Sequence, residues 1–197
     1  TADLDDAQKA SVTLIHKTDK PLLLFGVTGS GKTEVYAACI EEALKNGKQA
    51  IVLVPEILLT EHTVDRFRTM LPTNQIAVVH SKLGIAERKR MWKDIHDGKI
   101  GLVIGSRSAL FSPCKNLGII VMDEEHEWTY KNEQTPRYHA RETAEELCKQ
   151  SGSTFILGSA TPSIESWPRA KIGTYALSNL PKRYADRPMP SVRIIDL

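Results

Sequence analysis

Six short apolar runs, at residues 21–25, 50–54, 76–79, 101–104, 118–122 and 154–157, recur along the chain with room for a helix between them. Runs this short and this uniformly apolar are the pattern of strands buried on both faces, as parallel sheets bury them. Between them lie amphipathic stretches at 33–46, 60–70 and 85–96, the first ending on Asn46 and Gly47, a helix stop. The alternation predicts an α/β chain: a doubly wound, mostly parallel open sheet with helices on both faces. Ligands of such sheets bind beyond the carboxyl ends of the strands, so function is expected in the loops that follow the runs.

With 197 residues, 41% of them hydrophobic and 25% charged, the chain has material for one well-buried core. No apolar run approaches the ~20 residues that cross a bilayer, and no membrane partner is expected. Cys39, Cys114 and Cys148 are scattered and none stands in a C-x-x-C pair. That spacing argues against a zinc site and a disulfide framework and predicts a reducing, cytoplasmic setting. A net charge of +2 neither demands nor forbids nucleic acid.

The first run leads into "GVTGSGKT", a full match to G-x-x-x-x-G-K-[ST] between a strand and a helix. Gly26, Thr28, Gly29, Ser30 and Gly31 form a loop whose N–H groups, with the helix N-terminus, wrap nucleotide phosphates. Lys32 then reaches the β- and γ-phosphates, and the Thr33 hydroxyl serves Mg²⁺. A turn that only caps a helix explains neither the lysine nor the spacing of the outer glycines.

The fifth run ends in "DEEH", and three adjacent carboxylates at a strand end are costly without a compensating cation. Nucleotide-bound Mg²⁺ is the natural one: Asp123 would hold the ion, Glu124 would orient or deprotonate the attacking water, and His126 would sit beside the γ-phosphate. The sixth run ends in "GSATPS", where the Ser159 and Thr161 hydroxyls can hydrogen-bond the acidic turn. In "GSRSALF", Arg107 with Ser106 and Ser108 is a cluster of donors suited to phosphate oxygens.

Walker loop, then "DEEH", then "SAT" is the order of the first lobe of superfamily 2 helicases, and small P-loop kinases lack it. The segments "GVTGSGKTEVY", "VPEILLT", "GSRSALFSP", "DEEHEWTYK", "RYHAR" and "LGSATPS" are more specific. Through them the sequence from Leu4 to Leu197 resembles the primosomal protein N′ family of bacterial replication-restart helicases.

The resemblance implies a RecA-like P-loop NTPase lobe over residues 1–180, with 181–197 a linker and strand leading toward a second lobe. It implies ATP and Mg²⁺ as ligands, Gln8 as a contact to adenine, and "VPEILLT" and "VVHSK" as segments that touch the sugar-phosphate chain. The stretch after the acidic turn corresponds to an aromatic-rich loop that senses DNA. Trp128 and Tyr130 would stack on bases there, beside the cations Lys131 and Arg137.

For the parent protein the resemblance implies 3′→5′ translocation on single-stranded DNA at stalled forks, in the bacterial cytoplasm at the nucleoid. Its implied partners are forked DNA, a DNA-binding region, a second lobe with arginine fingers, primosome proteins and single-strand-binding protein. Zinc is expected in the missing part of the parent and not here, so the chain is expected to be a piece of a longer protein. Two other readings stay open: a nucleotide-dependent interaction module without turnover, and another superfamily 2 translocase.

Overall fold

The computed structural model describes residues 3–71, 75–80 and 83–182. Helix α1 (Asp6–Lys17) opens with a reciprocal cap in which the Asp5 carboxylate accepts from Gln8 N and Gln8 Oε1 accepts from Asp5 N, both at 2.8 Å. Strand β1 (Leu22–Gly26) then feeds helix α2 (Lys32–Lys45), and β2 (Gln49–Leu53) is followed by a short 3-10 turn and α3 (Glu61–Met70). Strand β3 (Ile76–Val79), helix α4 (Ile85–His96), β4 (Leu102–Gly105) and β5 (Leu117–Met122) complete the first part. A small antiparallel ribbon, β6 (Lys131–Asn132) with β7 (Tyr138–His139), precedes α5 (Ala140–Ser151), β8 (Thr154–Ser159), α6 (Ser166–Lys171) and β9 (Ala176–Leu180).

Seven strands form one parallel sheet in the order β3-β4-β2-β5-β8-β1-β9. All six apolar runs of the sequence are strands of this sheet. Its period-two alternation divides the core in two. Leu22 and Leu24 face α1, α2 and α3 with Val52, Ile104, Val121 and Ile156, while Leu23 faces α4 and α5 with Ile51, Val103, Ile120 and Leu157. Helices thus cover both faces, as a parallel sheet requires. The seventh strand, β9, went unseen in the sequence because Ser178 and Asn179 interrupt its apolar pattern. Its pairing with β1 and the Ser178–Ser11 hydroxyl contact at 2.8 Å hold it at the edge.

The order β5-β8-β1 has a functional consequence. It brings the loops after these three strands, Walker loop, acidic turn and "SAT" loop, side by side at the carboxyl edge. The expected contacts of Ser81 and Lys82 in "VVHSK", and residues 183–197 of the expected linker, lie outside the described residues.

Candidate functional site

The Walker loop owes its shape to two glycines in the left-handed region, Gly29 at φ 78° and Gly31 at φ 83°. Gly31 caps α2, and a Cβ there would collide with the Gln8 amide. Lys32 is buried and spans the loop, its Nζ donating to Gly26 O at 2.9 Å. The buried Ser30 Oγ has no hydrogen-bond partner, so the loop retains unused polar capacity under its backbone turn. Such a loop, capped by a long helix, fits a phosphate.

The acidic turn lies against it. Tyr36, four residues past Lys32 on α2 and fully buried, donates its hydroxyl to Asp123 Oδ1 at 3.0 Å. Only the bare backbone of Gly158 leaves space for that hydroxyl. Burial pushes the Asp123 carboxyl above its ordinary pKa, against the Tyr36 hydrogen bond and the Lys32 charge. Glu124 is also raised, by burial first and the Asp123 charge second. Two adjacent carboxylates that resist ionisation in this way fit a divalent cation, which would remove the cost. Glu124 is the one non-glycine residue at positive φ among the described residues, at 46°, a conformation that costs about 1–3 kcal/mol and recurs at functional sites.

His126 joins the turn to the loop after β8. Its Nδ1 lies 2.8 Å from Ser159 Oγ and 3.7 Å from Glu124 Oε2, and its Nε2 lies 3.4 Å from Thr161 Oγ1. The hydroxyls of "SAT" therefore meet the acidic turn through one imidazole.

Three predicted residues stand differently from expectation. Gln8 is fully buried with both ends of its amide engaged, one in the α1 cap and one donating to Gly31 O at 3.3 Å. It ties α1 to the Walker loop from a fully buried position. Tyr130 is 1% exposed, and its hydroxyl donates to Leu53 O at 3.0 Å and Asp123 O at 2.6 Å. It is a core residue and not a stacking platform, because the chain turns inward after Trp128. Arg107 donates from one Nη to Thr129 O at 2.7 Å and Lys131 O at 3.3 Å, so it braces the aromatic segment. Trp128 does project outward, at 79% exposed. Ser108 is exposed, and Lys131 and Arg137 line a groove of about 640 Å³ with Tyr138 and His139.

Glu125 was unreadable in a run of charge. Its side chain is fully buried and accepts from Ser163 N at 2.7 Å, Ser163 Oγ at 3.0 Å, Ser166 Oγ at 2.8 Å and Arg141 Nη1 at 3.4 Å. One carboxylate of the three thus serves as an internal anchor.

The sequence profile described as DEAD/DEAH box helicase matches residues 5–168. The chain belongs to that family. This helicase lobe is 47% identical over 199 residues to replication restart protein PriA of Bacillus subtilis, an alignment covering 98% of the chain and 25% of the relative. Against the Haemophilus influenzae PriA it is 44% identical over 197 residues, covering 100% and 27%. The chain spans about a quarter of the length of these curated relatives. RecG bound to a three-way DNA junction shares the fold at TM-score 0.65 and 24% identity, over 92% of this chain and 24% of that one. The Hef helicase domain of Pyrococcus furiosus does so at TM-score 0.65 and 17% identity, over 91% and 38%. The helicase family is a nucleotide-binding one. Among the described residues, no helix of the lobe is long and apolar enough to cross a membrane.

Proposed function

We propose that the chain is the ATP-binding lobe of a replication-restart DNA helicase that couples ATP hydrolysis to 3′→5′ movement along single-stranded DNA. The observation that carries the reading is the convergence of the Walker loop, Asp123–Glu124 and Ser159–Thr161 at one sheet edge, bridged by His126. The likeness to the replication restart protein PriA supports the restart role.

ATP is the substrate. The N–H groups of the Walker loop and the Lys32 ammonium bind its phosphates, and buried Asp123, oriented by Tyr36, with Thr33 would hold Mg²⁺. Bound there, the ion offsets phosphate charge. Glu124 faces the reacting end as the base or orienter of the attacking water. His126 links that base to the "SAT" hydroxyls, so displacement of one loop reaches the other.

Residues 1–180 would form the lobe and 181–197 the linker to a second lobe that supplies arginine fingers. The DNA-binding region, a zinc element, primosome proteins, single-strand-binding protein and a place at the bacterial nucleoid belong to the same proposal. The experiment is steady-state ATP hydrolysis by the full-length protein with and without single-stranded DNA, paired with unwinding of forks carrying 3′ or 5′ tails. DNA-stimulated hydrolysis with unwinding supports the reading. ATP binding with no turnover leaves an interaction module, and stimulated turnover without fork unwinding leaves another translocase.

A further inference from the structure

Glu34 is the third residue of α2, counted from the Gly31 cap. A Glu or Gln at that position ordinarily folds back to accept from the cap residue's own N–H, as Gln8 does for Asp5 in α1. Glu34 has folded back, for its Oε2 lies 3.3 Å from the point that a Cβ on Gly31 would occupy. It closes no capping bond. Oε2 is buried without a hydrogen-bond partner, and Oε1 accepts from Arg66 Nη2 on α3 at 2.8 Å. Among the described residues, Arg66 is the one partner of this carboxylate.

The open bond matters because of what else needs those donors. The first N–H groups of a helix have no partner within it, and at a Walker loop they are the groups that meet phosphate. A carboxylate on the Gly31 N–H would occupy one of them and fix a negative charge where the triphosphate brings its own. Arg66 neutralises Glu34 and draws it toward α3. A partly exposed ion pair adds little to stability, so the consequence of this one lies in where it places the carboxylate.

We propose that Arg66 is a positioning residue that holds the Glu34 carboxylate off the Gly31 N–H and so keeps the Walker loop open to the triphosphate. The inference rests on the ATP-binding reading of the loop above. Released from Arg66, Glu34 closes the capping bond and becomes an internal competitor for phosphate. Neither residue needs to touch the nucleotide. Arg66 also helps hold the Asp123 pKa down against the larger push of burial, an effect that removal of Glu34 does not restore. The two influences therefore separate in a double variant.

The test measures the affinity of the full-length protein for a non-hydrolysable ATP analogue by calorimetry, in Arg66→Ala, Glu34→Ala and the double variant, each checked by thermal melting. The Arg66 side chain is 44% exposed, so its truncation leaves no buried cavity. Arg66→Ala is expected to bind the analogue about tenfold more weakly. Glu34→Ala, the double variant and the charge-keeping Arg66→Lys are each expected to bind within roughly threefold of the unaltered protein. A double variant as weak as Arg66→Ala would overturn the inference, since Arg66 would then serve the nucleotide or the fold directly. Unaltered affinity in Arg66→Ala would overturn it as well. Should Arg66→Ala not fold, Arg66→Met, alone and with Glu34→Ala, decides by the same comparison. An unaltered protein that does not bind the analogue fails one step earlier, sinking the ATP-binding reading and this inference with it.

Discussion

The Tyr36 hydroxyl and the Asp123 carboxylate meet at 3.0 Å between α2 and the end of β5. This bond is among the causes that hold the Asp123 pKa down against the larger upward push of burial. Tyr36→Phe keeps the ring and removes the donor, so the Asp123 pKa rises further. In the proposed mechanism hydrolysis needs Asp123 ionised, and its rate falls as pH drops through that pKa. The acidic limb of kcat/KM against pH is therefore expected to move to higher pH in the full-length Tyr36→Phe protein. Loss of a hydrogen bond to a charged group costs roughly 1.5–3 kcal/mol, on the order of ten- to a hundredfold in turnover. An unmoved limb with native turnover would remove Tyr36 from this role.

Asp123 and Glu124 also cost the ligand-free lobe stability. Both carboxyls have raised pKa values in the folded chain, so between the ordinary carboxylate range and those values the folded state binds more protons than the unfolded one. Stability must fall as pH rises through that window, and the deficit persists above it. Asp123→Asn is expected to melt higher than the unaltered chain at neutral pH, by roughly 2–4 °C for an effect on the order of 1 kcal/mol. The advantage should shrink as pH falls toward the ordinary Asp range, where Asp123 is protonated in both states. Calorimetric scans across pH decide it, and a lower melting temperature for Asp123→Asn at neutral pH contradicts the argument.

Lys32 and Glu124 are expected to separate binding from chemistry. Lys32 sits across the Walker loop, and in the proposed mechanism it meets phosphate in the ground state, whereas Glu124 serves the attacking water. Lys32→Ala should weaken ATP binding in the full-length protein, and Glu124→Gln should retain binding and lose hydrolysis. Near-native turnover in Glu124→Gln would take the base away from that position.

Trp128 and Tyr130, neighbours in one 3-10 turn, are expected to behave as opposites. Trp128→Ala removes a side chain that is 79% exposed and should leave melting unchanged while lowering DNA stimulation. Tyr130→Ala empties a core position and breaks two hydroxyl bonds, and losses of about 3–5 kcal/mol are typical of such aromatic truncations. Melting curves of the two variants beside their DNA-stimulated turnover test the division; equal destabilisation would refute it.

That division also marks where sequence reasoning reached and where it stopped. The six strands other than β9 were legible because each is a local apolar run, and the Walker loop because its glycines and lysine have one spacing. Tyr130 was misread because its partner, Leu53 O, is 77 residues away, so nothing in the polar text around it signals burial. Glu125 hid in a charge run for the same reason: only the fold brings Arg141, Ser163 and Ser166 to it. Gln8 is read from the resemblance as a contact to adenine, and its burial against the Walker loop follows from the packing of α1, which no local pattern reports.

The last prediction concerns the 197-residue chain by itself: ATP binds, and turnover stays low with or without DNA. Charge that develops on the γ-phosphate calls for an arginine, and three arginines among the described residues are engaged elsewhere. Arg107 is held by two backbone carbonyls and Arg141 by Glu125. Arg66, whose charge reaches Asp123, is paired with Glu34 at 2.8 Å. An arginine finger is worth about 10³–10⁵ in turnover, or roughly 4–7 kcal/mol of barrier. Turnover by the chain is therefore expected to fall short of the DNA-stimulated full-length protein by a factor of that order, under matched ATP and single-stranded DNA. Equal turnover in the two would mean that the lobe supplies its own cation. Arg66→Ala would then be the first substitution to make, ahead of Arg107 and Arg137, because the Arg66 charge already acts on Asp123.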